Sequence, residues 1–213
     1  KFPVSARVGG VAVLVALLLG IPLGCIAAMH RGKFLDNLIS VISTCGIAVP
    51  SFVICTVLMY FLGVHLKILP TYGLTSWKHY VMPVMALSFY PMAYIMRLMR
   101  SSMLDVLGQD YMRTCKAKGV SQAVSIFKHA LRNAILPVIT YVGPMLAYTL
   151  TGSFVVEKIF TIPGLGGEFI GSISSRDYTV IMGTTIFLAT LLIVMNVIVD
   201  IIYKIVDPRI KLN

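Results

Sequence analysis

The chain has 213 residues, of which 58% are hydrophobic and only 12% charged, with a mean hydropathy of +0.90. A soluble domain carries about a quarter charged residues, so apolar residues gathered into long runs would exclude a soluble globule in favour of a polytopic membrane protein. The net charge of +10 comes without a hydrophilic domain to carry it, which argues for basic loops facing an anionic leaflet rather than for a nucleic-acid surface.

Five apolar runs are predicted as spans. Ahead of the first, Lys1 is not a start methionine and nothing has the layout of a signal peptide, so the numbering is expected to describe a fragment. The first run, 8–29, carries no charge between Arg7 and Arg31. As a helix it measures about 33 Å, enough to cross a hydrocarbon core of about 30 Å. Its Gly20-x-x-x-Gly24 spacing would let another helix approach closely. The second run, 38–64, contains Pro50; the third, 80–96, contains Pro83 and Pro91; the fourth, 133–156, contains Pro137, Gly143 and Pro144; the fifth is 179–203. Such residues are tolerated where neighbours re-satisfy the backbone, and they fit either ordinary kinks or the hinges of a moving bundle. Asp200 is the only charge inside the runs. Near a helix end and four residues before Lys204, it predicts a snorkelling ion pair rather than a proton relay.

Basic residues orient the spans. With the loop 30–37 inside, that loop, the segment 97–132 and the tail hold twelve lysines and arginines, against six on the other side. The rule that basic loops stay inside selects this orientation. Five spans with the tail inside put residue 1 outside, an odd count that fits a missing earlier span.

Cys25, Cys45, Cys55 and Cys115 have no CxxC spacing, and His30, His65, His79 and His129 are scattered; no metal site is expected from them.

The segment 97–132 is too polar to span. Val120, Ala123, Val124 and Phe127 recur at i, i+3, i+4 and i+7, and Leu131 extends the stripe, while Ser121, Gln122 and Lys128 fall elsewhere on the wheel. This predicts a short amphipathic helix starting at Gly119 to Ser121. A second short helix is predicted over 110–118, with Asp110 favourable to the dipole at its start and lysines near its end. Gly119 allows the sharp turn between them. From the residues alone, two readings stand: the pair lies on lipid headgroups, basic side toward phosphate, or it presents a rigid knob to a soluble partner with the apolar stripe packed on the spans beneath.

The run RTCKAKG (113–119), nine further residues and then HALRNAILP (129–137) resembles the cytoplasmic loop of binding-protein-dependent ABC importer permeases. It is most similar to the first permease of the oligopeptide and dipeptide branch. EKIFTIPGLGG (157–167), DYTVIMG (177–183), VDPRIK (206–211) and GIAVPSF (46–52) match the same branch in order over nearly the whole chain. Cys115 and Lys116 stand where the branch more often has Ala and Arg, and Arg113 stands where other importer families place a glutamate.

The resemblance implies an all-α type I importer transmembrane domain, a single domain over 1–213 with the coupling loop at 97–132, in a prokaryotic plasma membrane. It implies a paralogous permease subunit, two cytoplasmic ATPase subunits that bind ATP and Mg, an extracytoplasmic substrate-binding protein, and no cofactor in this chain. It also implies that the loop docks in a groove on the ATPase. The contact residues would be Arg113, Thr114, Lys116, Ala117, Lys118, Val120, Ser121 and Gln122 around the bend at Gly119, with His129, Ala130 and Pro137 leading into the next span. Peptides are the implied solute; nickel chelates, sugars or opines are carried by permeases of the same branch.

The chain has no ATPase machinery of its own. The phosphate loop needs G-x-x-x-x-G-K-[ST], whereas Gly32-Lys33 is followed by Phe34, with Ala27 in the first glycine's place. PGLGG at 163–167 lacks the lysine. An intramembrane enzyme would need paired polar groups inside the spans, and a secondary carrier would bury several ionisable groups along its path; a lone Asp200 disfavours both. Ser43, Thr44, Ser88, Tyr90, Tyr141 and Asn196 are the polar side chains that could face a pathway or bond between helices.

Overall fold

The computed structural model describes residues 1–150 and 152–206, and among these the regular structure is helical throughout. Helix α1 (Phe2–Met29) is apolar all round, as expected of a helix between lipid and protein. It packs most extensively along α4 (Lys78–Leu107). The approach is close because Gly20 and Gly24 face α4. A Cβ on Gly20 would stand 2.8 Å from Cγ2 of Ile95, and one on Gly24 would stand 2.7 Å from the carbonyl of Met96 and from Cβ of Met99. The predicted small-residue contact is therefore the central seam of the fold. Gly24→Val is expected to cost about 1–3 kcal/mol through overpacking, read as a lowered melting temperature in detergent. Ile95, Met99, Met103, Ala130, Ala134 and Val138 continue this core toward one end of the bundle.

Helix α2 (Phe34–Ala48) follows a turn at 30–33. The second predicted span is not one helix. Val49 is extended before Pro50 (φ −82°, ψ 123°), the conformation that a following proline favours. The chain then leaves at 105° as α3 (Ser51–Leu58) and wider π-helical turns over Met59–His65. The third predicted span is longer than expected: α4 reaches Leu107, so Arg97 and Arg100 stand on the helix, not in a loop. No glycine or proline interrupts the chain between Pro91 and Gly108, and Arg100 has a carboxylate partner that makes its position tolerable.

Beyond α4 come α5 (Asp110–Ala117), α6 (Gln122–Val124) with π-helical turns over Ser125–Ala130, and α7 (Leu131–Ala134). Helix α8 (Leu136–Leu150) returns along α1. The fourth run then breaks at Gly152 and Ser153 before α9 (Phe154–Ile159). Helices α10 (Leu165–Ser175) and α11 (Tyr178–Val206) complete the bundle, with α11 against α8. By length and composition four helices can cross a membrane, or five when the bent pair α2–α3 counts as one span.

Asp200 and Lys204 are both exposed, and among the described residues they form no ion pair, contrary to expectation. Residues 207–211 of the tail motif, with Arg209 and Lys211, lie outside the described residues.

Candidate functional site

Two features stand apart from ordinary packing: an elbow at one end of the bundle and a cavity in its flank. The elbow starts where α4 stops at Gly108. Helix α5 closes with the glycine-terminated bonding pattern of a Schellman motif. The Gly119 amide donates to the Lys116 carbonyl and the Val120 amide to the Cys115 carbonyl, each at 3.1 Å. Gly119 has φ +72° and open space where a Cβ would sit. Its requirement is therefore conformational, not steric. Both predicted short helices and the bend between them are present.

The structure places Arg113, Thr114, Lys116, Ala117, Lys118, Gly119, Ser121 and Gln122 in the open, with Val120 and His129 half-buried. Ala130 is fully buried and belongs to the core. The elbow is braced from behind: Asn133 Nδ2 of α7 donates to the Tyr111 hydroxyl of α5 at 2.9 Å. Tyr111 and Met112 pack on the central core.

One expectation is largely reversed. Of the stripe Val120, Ala123, Val124, Phe127 and Leu131, only Leu131 packs on the central core and Val120 is half-buried, while Ala123 is exposed and Val124 and Phe127 are 44% and 71% exposed. Ser125, Ile126, Ala130 and Ala134 face the bundle instead. Ile126, Ala130 and Ala134 recur four residues apart, so they too share one side of the helical stretch. Helical spacing is therefore satisfied by both faces, and it is the packing on the bundle that decides which one is buried.

The cavity has a volume of about 1130 Å³ and lies against both breaks in the spans, Ala48 to Ser51 and Gly152 to Phe154, with walls from α4, α8, α10 and α11. Irregular backbone at membrane depth is tolerated where it borders protein or a cavity, and here both breaks do. Among the lining residues no side chain is acidic, basic or imidazole. Of the polar pathway candidates, Tyr90 and Tyr141 line the cavity. Tyr94 bridges them, its ring 6.4 Å from Tyr90 and 4.5 Å from Tyr141. Ser43, Thr44 and Ser88 instead donate to carbonyls three or four residues back in their own helices. Among the described residues no three His, Cys, Asp or Glu side chains gather as metal ligands would.

Two buried carboxylates escaped the reading of the sequence. Asp36, only 2% exposed, accepts from Arg100 Nε and Nη2 and from the Gly32 amide, the latter two at 2.8 Å. This clasp joins the 30–33 turn to α4 at the end that bears the elbow. Its signals, a glycine and an aspartate four apart and an arginine 64 positions on, mean nothing until the helices are placed. Glu157 is the second; it lies at the opposite end in the EKIFTIPGLGG run.

The family described as "Binding-protein-dependent transport system inner membrane component" matches residues 20–212. The chain is 51% identical over 212 residues to the dipeptide transport system permease protein DppB of Bacillus subtilis (strain 168), covering 100% of this chain and 69% of that protein. It is 42% identical to the oligopeptide transport system permease protein OppB of Haemophilus influenzae, covering 99% and 69%. It is 40% identical to the glutathione transport system permease protein GsiC of Escherichia coli (strain K12), covering 92% and 64%. In fold it resembles the inward-facing MetNI methionine ABC transporter, with a TM-score of 0.76 over 96% of this chain and 94% of that one at 18% identity. The sequence likeness extends over the whole chain: it belongs to the inner-membrane permease components of binding-protein-dependent transport systems.

Proposed function

We propose that the chain forms one half of the translocation pathway of an ATP-driven peptide importer, with the elbow inside the cell and docked on a partner ATPase. The observation that carries this reading is the elbow's outward apolar face, Ala123, Val124 and Phe127, on a segment braced by Tyr111 and Asn133. A helix resting on headgroups would turn such residues toward the acyl region; a docking knob presents them to a groove. Arg113, Lys116 and Lys118 beside them suit an acidic rim and keep the elbow on the cytoplasmic side. Peptide as the solute is supported by the names of the dipeptide, oligopeptide and glutathione permeases to which the chain is similar.

In this reading the cavity is this chain's share of the pathway. None of the α11 residues whose side chains are described is fully buried, and the open faces of the helix are left for lipid and for a paralogous permease subunit. ATP and Mg act in two ATPase subunits, and an extracytoplasmic binding protein delivers the solute at the end opposite the elbow. Closure of the ATPases would carry the elbow inward and turn the cavity from one side to the other. Moving that equilibrium from 1:99 to 99:1 takes about 5.5 kcal/mol of differential binding.

The test is a single cysteine at the elbow, Gln122→Cys, in a variant without Cys25, Cys45, Cys55 and Cys115. A short bifunctional reagent should join it to the ATPase subunit of the purified complex, in a yield that changes with ATP. Reaction with lipid-phase probes alone overturns the docking role. Separately, ATP-dependent uptake of a labelled dipeptide into proteoliposomes tests the solute.

A further inference from the structure

Glu157 is 4% exposed and, among the described residues, has no cationic partner. A buried carboxylate must be compensated by donors, and here they come from two distant parts of the chain. Ser5 Oγ of α1 donates to Oε1 at 2.6 Å, and the Gly167 amide donates to Oε2 at 2.8 Å. Ser5 Oγ in turn accepts from the Leu165 amide at 2.8 Å. Both amides belong to the first turn of α10, where the helix dipole favours a negative charge. Glycines make room for the carboxylate: a Cβ on Gly152 or on Gly164 would overlap it, and Gly152 also has φ +89°. A second tie, Lys1 Nζ to Glu168 Oε2 at 3.3 Å, joins the same two helices at the surface.

The elements so fastened are walls of the cavity. Gly152, Ser153 and Phe154 line it from the α8–α9 break, and Leu165, Gly166 and Phe169 line it from α10. All six lie at the end away from the elbow, because α8 runs from the elbow toward them and α11 starts beside them. Helix α1, which carries Ser5, is held along the central seam with α4. One carboxylate therefore fastens the walls at this end of the cavity to the most firmly packed helix.

We propose that Glu157 is a positioning residue that holds α9 and α10 closed across the outer mouth of the cavity, and that this fastening sets how readily the permease turns outward. The proposal rests on the reading of the chain as a permease half. Ionised, the side chain has acceptors on both oxygens. Glu157→Gln keeps the volume but sets an NH₂ against a donor, either the Gly167 amide or the Ser5 hydroxyl, so one charge-assisted bond is lost.

The experiment uses the full transporter in proteoliposomes, with a reporter Ser51→Cys in the cavity and the four native cysteines replaced. In Glu157→Gln, labelling by a membrane-impermeant thiol reagent from the outer side should rise about tenfold without ATP, the shift expected from losing one hydrogen bond to a charge. ATP hydrolysis per mole of complex without loaded binding protein should rise with it. Ser5→Ala should move both readings in the same direction. Labelling and hydrolysis equal to the parent overturn the proposal, as does a lower melting temperature with both readings unchanged per folded complex, which would make Glu157 a structural residue only. A parent complex that takes up no peptide while Glu157→Gln still opens the cavity would count against the peptide reading alone.

Discussion

Asp36→Ala is expected to lower the stability of the purified protein by about 3 kcal/mol, the lower part of the range for removing one partner of a buried ion pair. The lower part applies because the Arg100 side chain keeps 31% of its exposure while that of Asp36 keeps only 2%. Removing the carboxylate strands a partly buried guanidinium and leaves the Gly32 amide without its acceptor. The loss falls at the junction of the 30–33 turn with α4, just behind the elbow, so melting temperature and uptake should fall together. The double variant Asp36→Ala, Arg100→Met should recover most of the melting temperature, since replacing both charges by apolar groups is far less costly than orphaning one. A single variant that melts like the parent would show that the pair contributes nothing to the fold.

Gly119→Val is expected to abolish peptide uptake while leaving insertion and melting nearly unchanged. At φ +72° a β-branched residue is strained by about 1–3 kcal/mol. The open space around the position means nothing else in the chain is disturbed. The relief available is for the elbow to straighten, which breaks the hydrogen bonds that the Gly119 and Val120 amides donate to the Lys116 and Cys115 carbonyls and turns Ser121 and Gln122 away. ATP hydrolysis should persist and cease to respond to loaded binding protein. The measurement is uptake and hydrolysis in the same vesicles, with Gly119→Ala, which carries less strain, as an intermediate. Full uptake by Gly119→Val would remove the bend from the coupling role.

Much of this was legible because it depends on local chemistry. The helix over Asp110–Ala117, the bend at Gly119, the Gly20 and Gly24 contact and the helical class all follow from periodicity, conformational preference and composition. The break at Pro50 was visible as a proline; its 105° consequence was not, since in many membrane helices a proline only kinks the chain. The stripe at 120–131 is legible as a period but not as a direction, because Ile126, Ala130 and Ala134 share the same helical spacing and only their seating in the core decides which side is buried.

What the amino-acid order determined by itself is the set of elements: apolar runs long enough to span, a basic segment too polar to do so, and within it a glycine bend flanked by two short helices. Each is settled by interactions within a few residues, or between the chain and its solvent. Only the tertiary structure decided which elements meet. Asp36 finds Arg100 across 64 positions and Ser5 finds Glu157 across 152. No local energy distinguishes those partners from other polar residues, and desolvation makes a buried carboxylate costly until its particular donors arrive. The clasp at the elbow, the fastening at the far mouth and the cavity between the two broken spans therefore belong to the fold as a whole.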